Sequence, residues 1–140
     1  MTESTVRVVR RFDASTERVF DAWLDPALAA RFLFASPTGR MVRAEIDPRV
    51  GGRFTFTDRR DGSDIDHVGE YLEIERPRRL RFSFAVPAFS AEATTVTVEI
   101  APSGSGAELT LTHEGVLPDY VERTRAGWSM ILDGLERTLG

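Results

Sequence analysis

From Val42 to Glu114 the sequence alternates apolar and polar residues with a period of two, and beyond Pro118 it changes to one long run of helical period. Val42, Ala44 and Ile46 alternate with Arg43 and Glu45, and Phe54 and Phe56 with Arg53, Thr55 and Thr57. Leu80, Phe82, Phe84 and Val86 alternate with Arg79, Arg81 and Ser83. The same holds for Val96, Val98 and Ile100 against Thr95, Thr97 and Glu99, and for Leu109, Leu111 and His113 against Thr110, Thr112 and Glu114. Successive strand residues point to opposite faces, so this pattern makes a sheet with one apolar and one polar face. Gly51-Gly52, Asp61-Gly62, Pro77 and Ser103 to Gly106 punctuate the run, and Ile65 to Ile74 reads as a long strand closed by Pro77. Short connections between half-buried strands imply an antiparallel meander.

The apolar face of such a sheet has to be covered. Val121, Thr124, Trp128, Ile131, Leu135 and Leu139 fall at helical spacing, with Glu122, Arg125, Asp133, Glu136 and Arg137 on the other side. This predicts a C-terminal helix of about 20 residues, roughly 30 Å long, opened by an Asp119–Glu122 capping box. Upstream, Val6 to Phe12 reads as a first strand. Ser15 caps a short helix carrying Val19, Phe20, Trp23 and Leu24, and Asp25-Pro26 starts a second one with Leu28 and Phe32, ending near Phe34 before Pro37 and Gly39. These two helices look too short to cover the sheet, so the long helix is expected to do so alone. The sheet is then expected to curve around it, bending at Gly51-Gly52 and at Gly69. The expected fold class is α+β: a curved seven-stranded antiparallel sheet wrapped around a long C-terminal helix, with two short helices after the first strand, as one domain over residues 1–140.

The chain has no cysteine, which excludes disulfide frameworks, thiol catalysis and thiolate zinc sites. Its net charge of −4 argues against a nucleic-acid partner. All 18 basic residues are arginine, which reads as codon bias of a GC-rich bacterial genome. No signal peptide and no membrane span are readable, so a cytoplasmic protein is expected, monomer or homodimer.

Asp47-Pro48-Arg49-Val50-Gly51-Gly52-Arg53-Phe54 resembles the D-x-R-x-G-G-x-aromatic segment of proteins related to the C-terminal domain of the activator of 90-kDa heat-shock protein ATPase (AHSA-type). Gly69 followed by Ile74, Pro77 and Leu80 is similar to a second segment of that family. His113-Glu114-Gly115 and Gly127-Trp128 with Leu132 and Leu135 are similar to its closing motifs. Phe32 stands where members often carry Trp. The resemblance spans Val6 to Leu139 and implies the helix-grip fold of the SRPBCC (START-like, pollen-allergen-like) superfamily.

The interior is expected to be rich in aromatic side chains: Phe54, Phe56, Tyr71, Phe82, Phe84 and Phe89. Gly127 and Gly134 lie two turns apart beside the Trp128 stripe, and each costs a helix about 1 kcal/mol relative to Ala. Either the sheet approaches closely there or a pocket opens, and on the second reading Gly134→Leu would keep the fold and block a ligand. His113 faces inward with Leu109 and Leu111, and His67 with Gly69 and Tyr71. Each is read either as a polar anchor for a ligand or as a hydrogen-bonded core histidine, the second being favoured for His113. The Gly51-Gly52 pair precedes a strand, so it reads as structural and not as a phosphate loop. The charged stretch from Asp58 to Asp66 reads as a solvated hairpin tip.

The expected function is binding of a hydrophobic small molecule between the last helix and the sheet. The candidate lining is Phe54, Phe56, His67, Tyr71, Phe82, Phe84, His113, Gly127, Trp128, Ile131 and Gly134. No cofactor, metal site or catalytic set is read from the sequence. The resemblance implies a second function, a chaperone-associated or regulatory module. A cyclase or hydrolase would need His67 or His113 paired with Tyr71 or an arginine inside the cavity.

Overall fold

The computed structural model describes residues 4–34, 39–88 and 92–140. Pro37, expected after the second helix, and Phe89, expected in the aromatic interior, lie outside the described residues. The elements are β1 (Ser4–Phe12), α1 (Thr16–Leu24), α2 (Pro26–Phe32), β2 (Arg40–Ile46), β3 (Arg53–Arg60), β4 (Ser63–Glu75), β5 (Arg79–Phe84), β6 (Thr94–Ser103), β7 (Gly106–Val116) and α3 (Val121–Leu139). The seven strands form one antiparallel sheet in the order β1-β7-β6-β5-β4-β3-β2. The run from β2 to β7 is the expected meander, and β1 joins it at β7.

Register follows the alternation except at bulges: in β2 the pairing shifts between Met41 and Arg43, so Val42, expected inward, is exposed and Met41 packs on the core instead. Phe82 lies opposite Val96, Val96 opposite His113, and His113 opposite Val6, so these side chains form one inward row across four strands. Asp61 (φ 49°) and Gly62 (φ 80°) make the two-residue turn of the β3–β4 hairpin, whose positive φ values match the twist of the strands it joins. Gly51 (φ 85°) donates its N–H to the Tyr71 carbonyl at 2.8 Å, and Gly52 accepts from the Tyr71 N–H at 2.9 Å. The glycine pair therefore docks onto β4. At Gly69 a Cβ would run into the Ser83 carbonyl and the Phe54 ring, so the sheet can bend there only without a side chain.

The short helices start where their caps place them. Ser15 Oγ accepts from the Arg18 N–H at 3.2 Å, and Asp25 Oδ1 accepts from Ala27 N–H at 2.9 Å and Leu28 N–H at 3.3 Å. The long helix starts differently. Pro118–Tyr120 form a 3-10 turn, Tyr120 takes the cap position without a side-chain bond, and Glu122 pairs with Arg125 at 3.2 Å. The expected Asp119–Glu122 capping box does not form.

Coverage of the sheet also differs from expectation, because three helices share it. α1 buries Val19, Phe20, Ala22 and Trp23 and packs on β6 and β7, while α2 packs on β2 and α3. α3 buries Trp128, Leu132, Gly134 and Leu135, and it packs on β1, α1 and α2. An ion pair from Arg10 to Asp133 at 2.7 Å ties β1 to α3. One half of the concave face is thus closed by helices. The other half, under the N-terminal half of α3, borders a cavity.

Candidate functional site

His113 sits on β7 beneath Trp128. The indole N–H of Trp128 donates to its Nδ1 at 3.0 Å. An indole nitrogen can only donate, so in the neutral ring Nδ1 is the acceptor and Nε2 carries the hydrogen. Nε2 lies 2.6 Å from Thr94 Oγ1, which in turn donates to the Phe84 carbonyl at 3.2 Å. The relay Trp128 to His113 to Thr94 to Phe84 satisfies every polar atom of the imidazole. Burial depresses its pKa to about 4. A ring whose two nitrogens are spoken for and which stays neutral has no lone pair for a substrate proton. His113 therefore locks α3 onto β5, β6 and β7, as the sequence favoured.

His67 is different. Its Nδ1 lies 3.2 Å from the Phe56 carbonyl, an acceptor only, so Nδ1 carries the hydrogen and Nε2 is left as an acceptor. Burial lowers its pKa, and the hydrogen bond to Phe56 and the nearby Asp58 partly oppose the shift. Its ring is parallel to those of Phe34 and Phe84, with centroids 4.9 and 6.1 Å away.

A cavity of about 410 Å³, widely open to solvent, lies between the N-terminal half of α3 and the β4–β5 side of the sheet. Six expected residues line it: His67, Phe84, His113, Gly127, Trp128 and Ile131. The other five do not. Phe54, Phe56, Tyr71 and Phe82 pack into the core, with Phe54 5.4 Å from Phe82 and 5.5 Å from Tyr71 between ring centroids. Burial pushes the Tyr71 phenol well above its ordinary range. Gly134 faces α2, where a Cβ would lie 3.1 Å from the Phe32 Cβ. It serves close helix packing, and the expectation that Gly134→Leu fills a pocket is corrected accordingly. At Gly127 an added Cβ would meet nothing within 4 Å.

Sequence reasoning missed the lining residues Phe34, Arg60, Val86, Arg123, Thr124 and Met130. Phe34 has φ 60°, which is rare for a bulky residue, and its ring stacks on Phe84 at 4.7 Å. Arg60 was readable from parity, since it shares the face of Phe56 and Asp58. The same parity corrects the reading of Asp58 as solvated: it is fully buried and pairs with Arg60 at 2.6 Å. Arg123, Thr124 and Met130 follow from helical spacing around Gly127. Among the described residues no group of three metal-ligating side chains occurs, and no helix is long and apolar enough to cross a membrane. A second hollow of about 340 Å³ lies on the convex face, but its Arg78 and Arg79 are paired with Glu75, Glu73 and Glu99.

Residues 13–140 match the family described as Activator of Hsp90 ATPase homolog 1-like protein. The chain belongs to this family. Among solved structures, a protein from Chromobacterium violaceum is 28% identical with a TM-score of 0.88, the match covering 96% of each chain. An AHSA1-like protein from Aeromonas hydrophila is also 28% identical, with a TM-score of 0.82 over 97% of this chain and 92% of that one. A Staphylococcus aureus protein described as of unknown function keeps the fold at 15% identity, with a TM-score of 0.88 over 99% and 94% of the two chains. No curated protein matches the sequence. The seven-stranded sheet around a long terminal helix is thus the family's helix-grip architecture.

Proposed function

We propose that this family member binds a hydrophobic small molecule in the cavity between α3 and the sheet. The observation that carries the reading is Gly127. A glycine in mid-helix costs about 1 kcal/mol relative to Ala, and here no neighbouring chain packs within 4 Å of where a Cβ would stand. The space it leaves is continuous with a wall of Phe84, Trp128 and Ile131. Its volume falls within the roughly 300–1,000 Å³ of small-molecule sites, which are mostly apolar with a few polar anchors. His67 is such an anchor, offering Nε2 to a ligand hydroxyl or amide.

The test is native mass spectrometry of gently purified protein, together with thermal shift against a panel of apolar compounds. A ligand that binds the folded state raises the midpoint with its concentration. No retained mass and no shift across the panel would reject the proposal. The family's description supports a second reading, stimulation of a 90-kDa chaperone ATPase. It is decided by assaying that ATPase with and without this protein, where an unchanged rate rejects it.

A further inference from the structure

Resting on the cavity reading, we infer that the ligand is an amphipathic anion, a flat aromatic body carrying a carboxylate that Arg123 holds at the cavity mouth. The chain has 22 acidic residues against 18 arginines, yet the charged lining residues are Arg60 and Arg123, with no carboxylate among them. The charge of Arg60 is balanced by Asp58, buried behind it. Arg123 has no ion-pair partner among the described residues. Its guanidinium lies 5.4 Å from the Tyr120 ring centroid, and the adjacent Glu122 is directed to Arg125. The mouth thus keeps one guanidinium charge in excess on a chain that is negative as a whole. A guanidinium matches the two oxygens of a carboxylate in a forked geometry.

The body of the ligand follows from ring orientation. Phe34, His67 and Phe84 are parallel to one another within 8°, 5° and 3°, and Trp128 meets Phe34 and Phe84 edge-on at 61° and 65°. Phe34 already stacks on both His67 and Phe84, so a ligand meets the outside of this stack and the neighbouring Trp128, where a planar ring system makes the same stacked or edge-on contacts. His67, only 6% exposed, lines the same cavity, and with Nδ1 engaged by the Phe56 carbonyl its Nε2 is the acceptor of the ring.

The experiment titrates the full chain with 2-naphthoate, 2-naphthamide and 2-naphthylmethylammonium, which share a body and differ in charge. Calorimetry is run on the unaltered protein and on Arg123→Gln, a change at an exposed position that leaves the core untouched. A charged hydrogen bond is worth enough that naphthoate should bind about tenfold to a hundredfold tighter than the amide. Arg123→Gln should collapse that preference to below about threefold. Equal binding of the three, or preference for the ammonium, would overturn the charge assignment and leave the cavity reading standing. A preference for naphthoate that survives in Arg123→Gln would overturn the assignment to Arg123. If none of the three binds, the inference fails, and the broader apolar panel then decides whether the cavity reading fails with it.

Discussion

At the scale of single residues, His113 is the clearest case of chemistry fixed by neighbours. Its pKa falls from 6.5 to about 4 because charging it in place is unfavourable. Between those values the unfolded chain binds the proton and the folded one does not, so stability rises with pH and is lost as pH falls from about 6.5 to 4. His67 is shifted in the same direction and adds to the same slope. Unfolding free energy from urea titrations should therefore drop by on the order of 3 kcal/mol between pH 7 and pH 4. His113→Gln should flatten the dependence, and an unchanged slope would show that the acid sensitivity arises elsewhere. Trp128→Phe tests the partner. Without the indole N–H, Nδ1 becomes a buried acceptor with no donor, costing about 1–3 kcal/mol at neutral pH. Protonating it no longer sets two donors face to face, so the His113 pKa, followed by NMR of the ring, should rise towards 6.5. A titration that stays near 4 would mean that the indole bond has no part in it.

At the scale of elements, what was legible is what is settled locally. Ser15, Asp25 and Pro26 place α1 and α2 because a cap satisfies the first free N–H groups of its own helix. Period two found every strand and most inward faces, including His67 and His113, but not the bulges: in β2 Met41 and not Val42 packs on the core, and in β4 Leu72 turns outward before Ile74. The start of α3 was not legible. Asp119 and Glu122 carry the residue types of a capping box, but the chain enters through a tight turn that puts Tyr120 at the cap. Nor was the division of labour among the helices. Whether Gly134 met a pocket or a neighbour depended on where α2 came to rest, which is a tertiary fact. Gly134→Leu is now expected to destabilise by about 1–3 kcal/mol through overpacking against Phe32, measured by urea unfolding. A neutral result would mean that α2 yields there. Phe34 was beyond sequence reasoning as well, because nothing in its neighbours announces a positive φ that turns its ring onto His67.

At the scale of the whole molecule, the two glycines of α3 stand in opposite surroundings, Gly134 packed on Phe32 and Gly127 in open space. The C-terminal half of the helix is packed by α1, α2 and β1, with Gly134 letting α2 come close. Its N-terminal half borders a cavity, with Gly127 holding space that no core side chain takes. Helix propensity alone favours Leu over Gly by about 1 kcal/mol. A leucine at Gly127 would also cover apolar surface of Ile131 and Phe84 at roughly 25 cal/mol per Å². Gly127→Leu is therefore expected to raise the stability of the ligand-free protein by about 1–2 kcal/mol in urea unfolding. The same side chain occupies the volume a ligand needs, so the thermal shift given by any apolar compound that stabilises the unaltered protein should disappear. Residues conserving a functional space at the expense of stability are where such opposite responses arise. A loss of stability in Gly127→Leu would show that the space beside α3 is already used by the fold, and a ligand shift that survives would place the binding site elsewhere.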